Sequence, residues 1–281
     1  MKAFHYTSGQ ALFKILETQK LQCSNLRFMN DPSEEFYFDK LLQELFDSEG
    51  QEFEFIYKTL YNKSYDTAVL NPTDKFIASF SKNSDSLSMW NYYSKGNGYN
   101  FEVDLQKIID KNNTKDLSVC LIELDYDKAN HFKLLMDLMS QHKGNAEIYS
   151  QLMEEYDSGN TKNREGYILN QTLGIEARFN EELDQLKIKF KHPAYAREEE
   201  VRLVISEYQG PKEGQRVEFK PSASGVFVSY ITLEISGCIT SVTTHPLNRD
   251  LHKLGVKEFL KSDLRFKNIE VKASEIPFRE V

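Results

Sequence analysis

The sequence predicts an α+β fold with a mixed, mainly antiparallel sheet and peripheral helices. Short segments with alternating apolar residues occur in two groups, one before and one after a long helical stretch. Helices and strands do not alternate regularly, as they would in a chain of βαβ units. A chain of 281 residues, 40% of them hydrophobic, can bury a large core. We therefore expect a single α+β domain over residues 1–281, with a helical insertion at residues 127–187.

The first group of strands is interleaved with helices. Strands are predicted at residues 4–7, 76–81, 99–103 and 119–126, where apolar side chains alternate or cluster. Helices are predicted from Ser8, at residues 32–46, at residues 51–65 and at residues 87–93, where apolar residues recur at helical spacing. Asp31 suits an N-cap and Pro32 the first helical position, so helix initiation largely explains this part of the sequence. Either Ser84 or Asp85 is expected to cap the helix at residues 87–93.

The second half of the chain begins with the helical insertion. Within residues 127–187, separate apolar sets at helical spacing predict three helices. The second group of strands is predicted at residues 200–205, 216–220, 226–235, 239–244 and 269–273, with one helix at residues 249–260. No internal repeat and no low-complexity linker divides the chain.

Composition excludes some classes of protein. Thirty-five basic residues against 43 acidic residues give a net charge of −8, which argues against a broad basic surface for duplex nucleic acid. Three separated cysteines without a CxxC pair are typical of reduced thiols in a cytosol. No apolar run is long enough for a secretory signal or a membrane span. We expect a cytoplasmic protein that makes no contact with a membrane.

An acidic run leads directly into a predicted strand. Glu198, Glu199 and Glu200 precede an alternating, β-branched segment. Because side chains of a strand point alternately to its two faces, Glu200 and Arg202 should share a polar face, opposite the apolar residues. Glu198 has the same parity at the point where the strand begins, whereas Glu199 falls on the apolar parity. On spacing alone, this run is equally well explained as a solvated surface.

Three other features carry polar or aromatic chemistry. His5 lies in the first strand, and Ser79 and Ser81 share one face of the second. The only tryptophan, Trp90, lies with Tyr93 in the helix that follows those serines. Such aromatic residues can form a wall for a ligand or an ordinary apolar core. The chain has no P-loop, GxGxxG, HExxH, GxSxG or Cys/His cluster, so we expect no metal site.

A set of short motifs follows in order along nearly the whole chain. They are His5-Tyr6-Thr7-Ser8, Asn30-Asp31-Pro32 with Glu35, Ser79-Phe80-Ser81, Met89-Trp90 with Tyr93 and Gly98, Lys191-His192, Glu198-x-Glu200-x-Arg202 and Ser274-x-Ile276-Pro277-Phe278-Arg279. This ordered set resembles a widespread bacterial family of uncharacterised domains, several of which are encoded near phage-defence or toxin loci.

That family is in turn similar to ADP-ribosyltransferases, which implies an ADP-ribosyltransferase-like fold and NAD as a substrate. By this resemblance His5 contacts a ribose of NAD, and Tyr93 or Trp90 stacks on nicotinamide. Glu200 accepts a hydrogen bond from the ribose 2′-hydroxyl and stabilises the positive charge that develops as nicotinamide leaves. Glu198 assists the acceptor nucleophile. By the same resemblance, the NAD site also contains Tyr6, Thr7, Ser79, Ser81 and Arg202. The Ser-Thr-Ser strand of the arginine-modifying enzymes is not identifiable.

Three functions are therefore considered. The first is an NAD-dependent ADP-ribosyltransferase, a toxin or phage-defence effector that modifies a nucleic acid or protein and has an antitoxin or defence protein as a partner. The second is a non-catalytic nucleic-acid or nucleotide-binding module, in which Trp90, Tyr92 and Tyr93 stack on bases and Lys191, Arg197 and Arg202 meet phosphate. The third and least favoured is a metal-dependent hydrolase built on Glu198, Glu200 and Asp104. The transferase hypothesis requires Glu200 to face His5 across one cleft.

Overall fold

Helices and a mostly antiparallel sheet make up the chain, as expected for the α+β class. The structure is a computed structural model, which describes residues 1–28, 32–61, 75–94, 97–159, 164–207, 217–222, 225–247 and 250–277. The chain divides into two compact units. The first consists of Met1–Asn30, Pro72–Glu123 and Tyr195–Val281, and the second of Asp31–Asn71 and Leu124–Ala194. The predicted insertion at residues 127–187 lies within the second unit, which also takes in residues 31–71.

The first unit contains the sheet and four helices among its described residues. Its strands are β1 (Lys2–Thr7), β2 (Lys20–Asn25), β3 (Lys75–Ser81), β4 (Tyr99–Asp104), β5 (Leu117–Glu123), β6 (Glu200–Glu207), β7 (Glu218–Pro221), β8 (Phe227–Glu234), β9 (Ile239–Thr244) and β10 (Glu270–Ala273). Its helices are α1 (Gly9–Thr18), α4 (Leu87–Tyr93), α5 (Leu105–Asn112) and α8 (Asp250–Lys261). Strand β2 and helix α5 were not predicted from the sequence, because each is short and rich in polar residues. The predicted N-cap of α1 is confirmed, since the Ser8 hydroxyl accepts a hydrogen bond from the Ala11 amide.

The sheet forks at β3. One edge of β3 pairs with β6 along its whole length, from Lys75 to Ser81. The other edge is shared: β1 pairs with it at Ser81, and β2 pairs with it at Phe76 and Ile77. Two groups of strands therefore diverge from β3, namely β1-β4-β9-β10 and β2-β8-β7, while β5 pairs with β6. Among these pairings, β9 with β10 is parallel and the rest are antiparallel.

Each face of the sheet has its own chemistry, because side chains alternate along every strand. The face defined here as apolar carries Phe76, Ala78 and Phe80 of β3, which pack in one core with α1, α5 and α8. The partners of that core include Leu12, Leu16, Phe101, Leu105, Ile108, Val201, Leu203, Ile205 and Leu260. The opposite face, called the polar face below, carries Ser79 and Ser81 of β3 with Glu200 and Arg202 of β6.

The second unit is helical, with α2 (Pro32–Glu49), α3 (Gln51–Leu60), α6 (Lys128–Asp157) and α7 (Glu165–Lys189). Its core is built from leucine, isoleucine, methionine and phenylalanine, including Leu41, Leu45, Ile56, Leu135, Met139, Phe179 and Leu183. The two buried histidines of this unit hydrogen-bond within it: His131 to the Tyr37 hydroxyl and His142 to the Glu182 carboxylate. The predicted N-cap at Asp31 lies outside the described residues. No described helix is both long and apolar enough to cross a bilayer.

Candidate functional site

Two buried carboxylates lie at the start of β6 in the first unit: Glu198 just before the strand and Glu200 as its first residue. A 3-10 turn, Pro193–Glu198, ends where the acidic run begins, and β6 starts at Glu200. Glu198 and Glu200 are each only 6% exposed, whereas Glu199 between them is exposed. The backbone at Glu199 has a φ of +44°, which lies in the left-handed region. A strained non-glycine residue between two buried acids is the kind of conformation that persists where neighbouring structure enforces it.

The end of β3 enforces this conformation. The Ser81 hydroxyl donates to the Glu198 carbonyl oxygen at 2.7 Å, and the Lys82 amide donates to the Glu199 carbonyl oxygen at 2.9 Å. The Asn83 side-chain amide donates to the Glu199 carboxylate at 3.4 Å. Three consecutive residues of β3 and its following turn thus hold the acidic run in place. The spacing of the two carboxylates is therefore a property of the fold.

Each buried acid has its own partner. Arg202, 1% exposed, donates from Nε to Oε1 of Glu200 at 2.7 Å. This pairing compensates a carboxylate charge that would otherwise be costly to bury. The Tyr93 hydroxyl donates a hydrogen bond to Oε1 of Glu198 at 3.2 Å. The Tyr93 side chain is 47% exposed. The polar face therefore presents an ion-paired acid, a second acid and an accessible aromatic ring.

Substitutions at Glu199 test the backbone conformation. Glycine tolerates the left-handed region without penalty, whereas a β-branched residue does not. We expect Glu199→Gly to leave the free energy of unfolding within about 0.5 kcal/mol of the wild type, and Glu199→Val to lower it by about 1–2 kcal/mol. Urea denaturation of the two variants measures this difference. Equal stability of the two variants would contradict the conformation assigned to Glu199.

Trp90 is enclosed instead of lining an open surface. It is fully buried, with edge-on contacts to the Tyr6 ring at 4.8 Å and to the His245 ring at 5.2 Å. Its indole nitrogen donates to Asp85 at 2.7 Å. Of the two aromatic residues expected to stack on nicotinamide, only Tyr93 is accessible in this structure.

Tyr6 is likewise tied into the fold. Its hydroxyl donates to the Asn83 carbonyl oxygen at 2.9 Å and accepts from the Ser86 amide at 3.0 Å. Burial raises the pKa of Tyr6 to about 12. Thr7 is buried at the end of the same strand. These contacts connect β1 with the turn that precedes α4.

His5 does not share a face with Glu200, so the expectation that the two residues face each other across a cleft is wrong. Phe4 pairs with Ser81, and Ser81 pairs with Glu200, which places these three side chains on the polar face. His5 is the next residue of β1 and therefore projects to the apolar face. There its ring lies 5.2 Å from the Phe101 ring and 5.6 Å from the Phe80 ring.

The contact of His5 with the main chain gives it a role at the fork. Its Nδ1 lies 2.9 Å from the Ser79 carbonyl oxygen, on the stretch of β3 that neither β1 nor β2 pairs. Because a carbonyl oxygen only accepts, Nδ1 carries the proton. Burial lowers the pKa of His5, which favours the neutral form of the ring. His5 thus donates a hydrogen bond to a main-chain oxygen of β3 at the point where the sheet divides.

The further residues named for the other two functions, Asp104, Lys191 and Arg197, differ in their surroundings. Asp104 caps α5 by accepting from the Gln106 amide. Lys191 is buried and belongs to the second unit, while Arg197 is exposed in the 3-10 turn. Among the described residues, no group of three or more His, Cys, Asp or Glu side chains is arranged to hold a metal ion.

Two residues that flank α4, Asp85 and Gly98, make contacts that the sequence did not predict. Asp85 does not cap α4, whose N-cap is Ser86; its carboxylate instead accepts from Trp90 and from the C-terminal segment. Gly98 permits a close approach, because a Cβ atom there would lie 2.3 Å from the Thr7 carbonyl oxygen. No local sequence pattern marks either contact, since both join segments far apart in the chain.

Comparison with known proteins gives a match to a family of uncharacterised proteins. Residues 89–203 match the model of a family described as a protein of unknown function (DUF2971). The matched segment runs from α4 to β6 and so contains Trp90, Tyr93 and both buried acids. No curated protein matches the chain, and no solved structure does. The chain is therefore similar, over this segment, to a family of uncharacterised proteins.

Proposed function

We propose that the protein is an NAD-dependent ADP-ribosyltransferase whose reaction takes place on the polar face. The observation that carries the proposal is the pair of buried carboxylates, Glu198 and Glu200, which have one residue between them and are held in place by the end of β3. An accessible aromatic ring, Tyr93, is hydrogen-bonded to one of them. An ADP-ribosyltransferase-like fold is part of the proposal, and the forked, mostly antiparallel sheet is compatible with it.

Glu200 has the properties needed for the bond-breaking step. As the bond between the nicotinamide nitrogen and ribose C1′ breaks, both electrons go to nicotinamide and positive charge develops on the ribose. A fixed carboxylate in a site that excludes water stabilises such charge strongly. Arg202 holds Glu200 in one orientation through a hydrogen bond of 2.7 Å from Nε to Oε1, so the carboxylate needs little reorganisation during the reaction. Glu200 is thus assigned to the ribose.

Glu198 is assigned to the acceptor. In the second half of the reaction an acceptor oxygen or nitrogen forms a bond to C1′ and releases a proton. Glu198 takes this proton as a general base, and the Tyr93 hydroxyl orients its carboxylate. The exposed ring of Tyr93 is assigned to nicotinamide, with Ser79 and Arg202 on the same face of the sheet. Tyr6, Ser81 and Trp90 support this arrangement from buried positions. Thr7 has the same strand parity as His5 and is assigned no contact with NAD.

The requirement that His5 face Glu200 is not met, because His5 lies on the apolar face and hydrogen-bonds to β3. The proposal therefore differs from the sequence-based hypothesis: it assigns no NAD contact to His5 and depends on the two acids and Tyr93. The acceptor is a nucleic acid or a protein, and the biological role is that of a toxin or phage-defence effector with an antitoxin or defence protein as its partner. These assignments rest on the resemblance of the ordered motifs to domains encoded near such loci.

A second candidate function is a non-catalytic module that binds single-stranded nucleic acid or nucleotide. It is favoured by the neighbouring tyrosines at the end of α4, since Tyr92 is 70% exposed and Tyr93 is 47% exposed. Exposed aromatic rings of this kind can stack on bases. It is weakened by the burial of Trp90 and Lys191, which were expected to contact bases and phosphate.

The test is to incubate the full chain with NAD and follow nicotinamide release, with and without RNA, single-stranded DNA or a protein mixture. Transfer of label from NAD to one acceptor class supports the proposal and identifies that class. If nicotinamide is not released under any condition, while nucleic acid binds equally to wild type and Glu200→Gln, the transferase proposal fails and the binding module is favoured.

A further inference from the structure

We infer that residues 274–276 form a clamp that holds α4 in place through hydrogen bonds to the Asp85 carboxylate. This inference deepens the proposed function, because α4 carries Tyr93 to Glu198. All of the contacts involved lie within the first unit. Asp85 and Ser274 are positioning residues in this account, since they act on the acids through α4.

The path of the C-terminal segment is defined by hydrogen bonds. After β10, the Ser274 amide donates to the Thr244 carbonyl oxygen at 3.1 Å, which continues the pairing of β10 with β9. The Ser274 hydroxyl then donates to Oδ1 of Asp85 at 2.7 Å, and the Glu275 amide donates to Oδ2 of Asp85 at 2.8 Å. Both oxygens of this one carboxylate therefore bind the segment.

The same carboxylate binds α4. The Trp90 indole donates to Oδ1 of Asp85 at 2.7 Å, so three donors converge on one charged acceptor. Hydrogen bonds to an ionised acceptor are stronger than those between neutral groups. Ile276 adds apolar contact, because it packs against the cluster of Tyr6, Met89 and Trp90. The clamp therefore joins the segment to α4 by polar and apolar contacts together.

Helix α4 depends on such external contacts. It has only seven residues, and an isolated helix of that length is unstable in water. Its last residue is Tyr93, whose hydroxyl reaches Glu198. Release of the clamp is thus expected to loosen α4 and to separate the tyrosine hydroxyl from the acid.

The chain offers a matched control beside the clamp. Ser274→Ala removes the hydroxyl that donates to Asp85, and Ile276→Ala removes the apolar contact. Glu275 lies between these two residues, and Glu275→Ala removes only an exposed side chain. The main-chain amide that donates to Asp85 is retained. Thermal unfolding of each variant shows whether it remains folded.

Three readouts test the inference. Trp90 is the only tryptophan, so its fluorescence reports on the clamp directly. Hydrogen exchange of residues 87–94, followed by mass spectrometry, reports on the order of α4 without any activity. Nicotinamide release reports on the acids. We expect Ser274→Ala and Ile276→Ala to shift the Trp90 emission to longer wavelength, to speed exchange of α4 roughly tenfold and to slow nicotinamide release, with Glu275→Ala unchanged.

The outcomes separate this inference from the proposed function. Unchanged Trp90 emission and unchanged exchange in both folded clamp variants would overturn the clamp, whatever the activity. A loosened α4 with unchanged nicotinamide release would overturn its positioning role. If the wild type releases no nicotinamide but emission and exchange change as expected, the clamp stands as a structural device and the transferase proposal fails.

Discussion

In the proposed transferase reaction, Glu200→Gln is expected to lower the rate of nicotinamide release and of ADP-ribosyl transfer roughly 10²–10³-fold, the loss typical when one preorganised electrostatic contact to the transition state is removed. The change is nearly isosteric, and the amide oxygen can still accept the hydrogen bond from Arg202 Nε. Because the substitution also removes the negative charge beside the buried Arg202 cation, thermal unfolding first shows that the variant is folded before the two rates are compared. Nicotinamide release at saturating NAD measures the rates.

The control for this prediction is the neighbouring residue. Glu199→Gln makes the same change of charge at an exposed side chain, and its amide oxygen can still accept from the Asn83 side chain. We expect this variant to keep the wild-type rate. If the two variants lose activity equally, the loss reflects the charge of the acidic run as a whole and not a role of Glu200 at the ribose.

Arg202→Met is expected to lower the free energy of unfolding by about 3–5 kcal/mol, because it removes the buried guanidinium that is hydrogen-bonded to the buried Glu200 carboxylate. Arg202 is 1% exposed and Glu200 is 6% exposed, so solvent screens their interaction little. Replacing both partners should cost less than the sum of the single changes, since Glu200→Gln removes the charge that Arg202 compensates. Urea denaturation of the single and double variants measures this coupling.

Two outcomes would contradict the assigned ion pair. One is a loss of less than about 1 kcal/mol in Arg202→Met, the value expected for an exposed pair. The other is additivity of the two single variants, which would show that the side chains do not interact in the folded protein.

The sequence predicted the class of fold and much of its strand content. Strands such as β3 and β4 alternate clearly, and the apolar residues of α6 and α7 recur at helical spacing. Residues 20–25 and 105–112 were missed, because a segment of six to eight residues gives few apolar positions from which to detect a period. The fork at β3 could not be predicted, since it depends on which strands pair and in which register.

The same limit explains the misplacement of His5. Alternation within a strand tells which of its residues share a face, and it correctly grouped Glu200 with Arg202. It does not tell which face of β1 matches which face of β6. Only the registers of Phe4 with Ser81 and of Ser81 with Glu200 decide that question.

The structural surroundings of the proposed site were predicted in part. The acidic run directed attention to Glu198 and Glu200, but the left-handed conformation of Glu199 has no signal in the sequence. Asp85 was considered as a helix cap because of its local position. Its actual partner in the C-terminal segment lies 189 residues away, and such a contact is set by tertiary structure alone.

The most direct test of the account is a crystal structure of the protein with a non-hydrolysable NAD analogue. We expect the nicotinamide ribose on the polar face, with its 2′-hydroxyl about 2.6–3.0 Å from a Glu200 carboxylate oxygen and the nicotinamide ring against Tyr93. An analogue bound on the apolar face beside His5, away from Glu200, would contradict the proposed site and the mechanism built on it.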